Sequence, residues 1–212
     1  MNAERAAGVV ADAMDDREDD RLGGLRIGVD MDGVLSDFIA GWMALYARDF
    51  GRHLEVADVT SWDGMHELTH FRSMGEFWAW ARGGGESVFR HLPPMPGAMA
   101  CMERLAVEHR VVILSSKSDW AIPDSLAWLS EHRVPAREVH FLWRKSAVSC
   151  DVYLDDAPHH LRELRAARPD AVVCRRVHPW NDPLPGVVDI ESWPRFEAVV
   201  ARVARERSVA IG

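Results

Sequence analysis

The chain has 212 residues, 48% of them hydrophobic, and a formal net charge of −8. That length suits one α/β domain with an inserted piece, or two small domains, with enough apolar material for a real core. The acidic balance argues against binding nucleic-acid polymers, which relies on Lys and Arg neutralising phosphates, so any phosphate ligand needs a local positive site such as a metal.

Residues 1–22 are acidic and alanine-rich, lack the apolar core of a signal peptide, and read as a disordered tail. No apolar run is long enough to span a bilayer, so no membrane partner is expected and the protein is expected to be cytoplasmic. Folded structure is expected from Leu25, where a short β-rich run ends in Asp30-Met31-Asp32-Gly33: a buried strand entering a polar turn. From Asp37 to Phe50, the residues Phe38, Ile39, Trp42, Leu45 and Tyr46 recur at helical spacing. Residues 53–91 are rich in Trp, His, Met and Gly, with a second helical stretch at 75–82 and a Gly83-Gly84-Gly85 breaker.

After Leu92-Pro93-Pro94-Met95-Pro96-Gly97, a regular alternation resumes. Helices are predicted at 98–108, 123–132, 159–167 and 193–207, and strands at 110–114, 139–142, 151–154, 171–174 and 187–190. Such alternation predicts an α/β fold, a Rossmann-like parallel sheet of about five strands with helices on both faces. Residues 37–92 interrupt it and offer no strand, so they are assigned as a small helical cap inserted after the first strand. Residues 23–36 and 93–212 then form the core. Cys101, Cys150 and Cys174 include no Cys-x-x-Cys pair, which argues against structural zinc and for small buried hydrophobes in a reducing compartment.

Polar residues gather at three predicted strand ends: Asp30 and Asp32, Ser115 and Ser116, Asp155 and Asp156. In an open parallel sheet ligands bind at the carboxyl ends of strands, so these distant carboxylates should converge. Crowded acids repel unless a cation sits among them, and hard oxygen ligands select Mg²⁺. Lys145, shortly before the Asp155-Asp156 strand, offers a second positive charge.

The segment Asp30-Met31-Asp32-Gly33-Val34-Leu35-Ser36-Asp37 resembles the DxDGxLxD motif of the haloacid dehalogenase superfamily. Ser115, Lys145 and Val152-Tyr153-Leu154-Asp155-Asp156 resemble its second, third and fourth motifs, in order. Within the superfamily, DMDGVLSDF, LPPMPGA and VILSS look most like the 5′(3′)-deoxyribonucleotidases, over roughly residues 25–158. The resemblance implies a Mg²⁺-dependent phosphomonoester hydrolase with Asp30 as nucleophile and Asp32 as general acid and then base. It implies that Ser115 and Lys145 hold phosphoryl oxygens, with Ser116 and Lys117 as candidate substrate contacts. The metal would be held by Asp30, the Asp32 backbone carbonyl and Asp156, with Asp155 an alternative or neighbouring contributor. Phe38, eight residues after Asp30, matches a family aromatic that packs against the base, and Phe71, Trp78 and Trp80 could extend that slot.

Plainer readings stand beside these. A lone DxD is usually a solvated turn, and it is the ordered set of motifs that makes it catalytic. Asp37 is expected to cap the following helix. Phe38 is equally a core residue, His159-His160 is a poor metal pair, and residues 175–181 read as a surface loop near the crevice. The expected substrate is a small phosphorylated molecule, a nucleoside or deoxynucleoside monophosphate. The alternatives are another phosphomonoester, or a nucleotide-binding module without turnover, which would have no need of Asp32. Oligomeric state, a homodimer included, stays open.

Overall fold

A computed structural model describes residues 24–61 and 64–211 of the protein; the expected tail lies outside the described residues. Six strands form one parallel sheet: β1 (Arg26–Val29), β2 (Arg110–Ser115), β3 (Glu138–Phe141), β4 (Val152–Asp155), β5 (Val172–Arg176) and β6 (Val188–Ile190). Their spatial order is β3-β2-β1-β4-β5-β6, one strand more than the expected five, because the short β6 pairs with β5 at the edge. The order reverses between β1 and β4, the switch point where doubly wound folds open a crevice.

Alternation along the strands sends side chains to opposite faces. Val111 and Ile113 of β2 join one buried cluster, while Val112 and Leu114 join the other. The first face is covered by α3 (Ala98–Glu108), α4 (Ile122–Glu131) and α6 (Trp193–Ile211), through Met102, Trp128 and Phe196. The second is covered by α5 (Pro158–Ala167), through Leu161 and Leu164. Central β1 is buried from Ile27 to Val29, as a two-sided parallel strand must be. The three cysteines are buried and unpaired.

Between β1 and α3 the described residues hold α1 (Phe38–Phe50), α2 (Met74–Arg82) and short 3₁₀ turns, with no strand. Asp37 caps α1 by accepting from the Ala40 N–H at 3.0 Å, and Gly51, at φ 67°, ends it in the left-handed region. The two ends of this segment are stitched together. Asp37 N–H donates to Pro93 O and Met95 N–H to Leu35 O, both at 2.8 Å.

Candidate active site

Register aligns the ends of the central strands. Val29 stands opposite Ile113 on β2 and Leu154 on β4, and Asp30 N–H continues the ladder onto Leu154 O at 3.0 Å. Asp30, Ser115, Asp155 and Asp156 therefore gather at the carboxyl ends of the central strands, all buried. Asp30, Asp155 and Asp156 can each offer an oxygen within 4.8 Å of the others.

Lys145, on a 3₁₀ turn before β4, reaches into this trio. Its Nζ lies 2.5 Å from Asp155 Oδ2 and 2.9 Å from Asp30 Oδ2. The other Asp155 oxygen accepts from Ala157 N–H at 2.9 Å. Burial pushes the Asp30 carboxyl up to about 7; Lys145 opposes this, while Asp155 and Asp32 add to it. Burial, then the charges of Asp30 and Asp155, raises Asp156 well above the usual carboxylate range. Burial disfavours a charged Lys145, but Asp155 and Asp30 outweigh it and hold the ammonium above its ordinary value.

The Asp32 carboxylate stands apart from the trio. Ser36 Oγ donates to its Oδ1 at 3.1 Å, and Lys117 Nζ sits 2.5 Å from its Oδ2. Lys117 also lies 3.5 Å over the Phe89 ring, and burial lowers its pKa despite the Asp32 charge. Three buried carboxylates thus face one ammonium group, with the Asp32–Lys117 ion pair beside them. That surplus of negative charge, with three oxygens converging, fits a hard divalent cation.

A cavity of about 620 Å³ opens over these residues, and Asp30, Asp32, Ser115, Lys117, Lys145 and Asp156 all reach its wall. Its apolar side is formed by Trp78 of α2 with Phe89 and Trp120.

Not every expected contact lies on the cavity wall. Phe38 is not on the cavity wall: it is fully buried behind that wall, stacked on Phe89 at 5.6 Å, because the first turn of α1 faces the core. Phe71 and Trp80 are also off the wall and pack instead with Tyr46. Ser116 reaches the cavity, but its hydroxyl donates to Leu142 O at 3.0 Å and meets His160 Nε2 at 2.8 Å. Lys117 reaches it as an ion pair with Asp32.

The loop after β5, read from the sequence as surface, belongs to the site. Trp180 Nε1 donates to Asp156 Oδ2 at 3.1 Å, and Asn181 Nδ2 donates to Asp156 O at 2.8 Å. Its position after a strand adjacent to β4 was the available signal.

The fold is shared with solved hydrolases of the haloacid dehalogenase type. The candidate superfamily hydrolase YfnB of Bacillus subtilis, solved with magnesium bound, superposes with a TM-score of 0.58 at 12% identity, covering 84% of this chain and 98% of that one. A haloacid dehalogenase-like hydrolase of Xanthomonas campestris gives 0.55 at 11% identity, covering 86% and 97%. The chain also resembles a 5′(3′)-deoxyribonucleotidase of Bacillus subtilis, 24% identical over 148 residues, which are 67% of this chain and 81% of the relative. A candidate 5′(3′)-deoxyribonucleotidase of Chlorobaculum tepidum is 27% identical over 152 residues, 66% and 73% of the two chains. Residues 25–206 match the family model described as 5′ nucleotidase, deoxy (pyrimidine), cytosolic type C protein, and the chain belongs to that family. It is a phosphatase of the 5′-nucleotidase kind.

Proposed function

We propose that the protein hydrolyses nucleoside or deoxynucleoside monophosphates in two in-line phosphoryl transfers through an aspartyl-phosphate on Asp30, with Mg²⁺ at the carboxylate trio. The observation that carries this reading is the meeting of Asp30 and Lys145, 2.9 Å apart, beside a separately held Asp32. A carboxylate attacks a phosphate dianion only where positive charge cancels their repulsion. Of the two adjacent aspartates Asp156 is the better-suited ligand to stand beside Asp30, because both Asp155 oxygens accept hydrogen bonds, from Lys145 and Ala157, whereas Trp180 engages only Oδ2 of Asp156. Bound there, Mg²⁺ supplies neutralisation of the phosphoryl oxygens.

In the first step Asp30 attacks phosphorus and the ester oxygen leaves, taking a proton from Asp32. Ser115 and Lys145 hold the phosphoryl oxygens that become equatorial. In the second step Asp32, now ionised, takes a proton from the water that attacks the phosphorus of the acyl-phosphate, and Asp30 is regenerated. Ser36 and Lys117 grip both oxygens of Asp32, which keeps that carboxylate from joining the trio. Trp78, Phe89 and Trp120 offer an apolar wall for the base, where stacking contributes about 1–3 kcal/mol per base.

The residues 37–92 that supply Trp78 and Phe89 act as a specificity cap in this reading. Substitution Asp30→Asn tests it: nucleotide hydrolysis should disappear while the circular dichroism spectrum and melting point stay near those of the wild type. Full turnover in that variant would reject the mechanism.

A further inference from the structure

Lys145 bridges Asp30 and Asp155, which leaves Asp156 as the member of the trio that needs a further anchor. Three buried acids repel one another, and a carboxylate free to rotate would turn away from its neighbours. Asp156 is kept from doing so by one loop, residues 177–187, between β5 and β6. The indole Nε1 of Trp180 donates to Asp156 Oδ2, and Asn181 Nδ2 donates to the Asp156 carbonyl.

The loop is itself tied down. Asn181 is anchored by Arg175 of β5, whose guanidinium donates to the Asn181 side-chain oxygen at 2.7 Å and its carbonyl at 2.6 Å. The same guanidinium pairs in a two-pronged fashion with Asp189 of β6. The Trp180 ring stacks on His178 at 4.2 Å with an interplanar angle of 8°. His178 Nε2 donates to the Gly33 carbonyl at 2.5 Å, which ties the loop to the first motif. Gly33 closes on the same oxygen of Asp156: a Cβ there would come within 2.4 Å of Oδ2. One loop therefore holds the side chain and backbone of Asp156 and the backbone of the opposing turn.

We propose that Trp180 is a positioning residue for the cation, its indole N–H fixing one oxygen of Asp156 so that the carboxylate presents the other to Mg²⁺; this rests on the metal reading above. Donors that orient a ligating carboxylate typically account for about 10–100-fold in metal affinity. Trp180→Phe removes that donor while keeping an aromatic ring to stack on His178.

The test is calorimetric titration of Mg²⁺ into full-length protein freed of metal by chelator, without substrate, alongside heat unfolding in chelator. Trp180→Phe should bind Mg²⁺ roughly 10-fold more weakly, with a chelator-state melting point near the wild-type value. Affinity equal to wild type overturns the positioning role and leaves the metal reading standing. Weaker binding accompanied by a melting point several degrees lower signals general loosening and overturns it as well. Wild-type protein that takes up no Mg²⁺ overturns the metal reading, and this proposal with it.

Discussion

Asp32 has both oxygens engaged, by Ser36 and by Lys117, and under the proposed mechanism that pairing predicts a kinetic effect. General acid–base assistance contributes about 10²–10⁴-fold, and it matters most when the leaving group is a poor one. Asp32→Asn should slow release of phosphate from a nucleotide, an alkyl ester, by two or more orders of magnitude, and should affect p-nitrophenyl phosphate far less in the step that expels the alcohol. Lys117→Met should follow the same pattern more weakly, with kcat falling more than KM changes. Equal losses on both esters would reject the positioning of Asp32 by Lys117.

At Gly33 the constraint is steric. Its φ of 74°, and the 2.4 Å that would separate an added Cβ from Asp156 Oδ2, leave no room for a side chain. Gly33→Ala should cost about 1–2 kcal/mol from the backbone alone and cut kcat at least tenfold, as read by thermal unfolding and steady-state kinetics. Of the candidate residues, Asp30, Asp32, Ser115, Lys145 and Asp156 were legible because residue type and order carry them. Phe38 was not, because helical spacing does not say which face of α1 turns toward the cavity and which toward the core. Nor was the pairing of Lys117 with Asp32, which spans 85 positions in the chain.

Helix α5 carries a group that senses acid. Ser116 Oγ donates to Leu142 O, so the His160 Nε2–H donates to Ser116, and burial lowers the imidazole pKa to about 4 from 6.5, with Lys145 adding to the shift. Because the unfolded chain binds this proton more readily, stability is complete above pH 6.5 and is lost as pH falls toward 4. After allowance for solvent screening the loss amounts to roughly 1–3 kcal/mol. His160→Gln keeps a donor for Ser116 and removes the titration, so denaturant melts should show a flatter decline across that pH window. An unchanged decline would contradict the assignment.

At α1, Asp37→Ala removes the cap on the Ala40 N–H and should lower stability by about 1 kcal/mol, a shift of a few degrees in melting temperature. That cap, and the helices and strands themselves, could be read from local pattern, because period and punctuation are local properties. Strand β6 was equally visible as a segment, but its pairing with β5 depends on a crossover that the sequence does not spell out.

Across the whole molecule, alternation of strands and helices foretold the layers, and the carboxyl-end rule foretold where the acids would meet. What pattern alone could not supply was the work of the β5–β6 loop. Its residues Val177 to Asn181 lie more than 140 positions from Asp30, and nothing local marks Trp180 as a partner of Asp156. Long-range convergence also explains how an acidic chain can handle phosphate: Lys145 and Lys117 are buried where the acids meet, and the remaining negative charge suits a divalent ion.

The most direct measurement is the stereochemical course at phosphorus, followed with a nucleoside phosphorothioate made chiral with one heavy oxygen isotope and turned over with Mg²⁺ in water carrying the other, so that the product thiophosphate is itself chiral. Two successive in-line displacements, first by Asp30 and then by water, predict net retention of configuration. Net inversion, the signature of a single attack by water, would contradict the account.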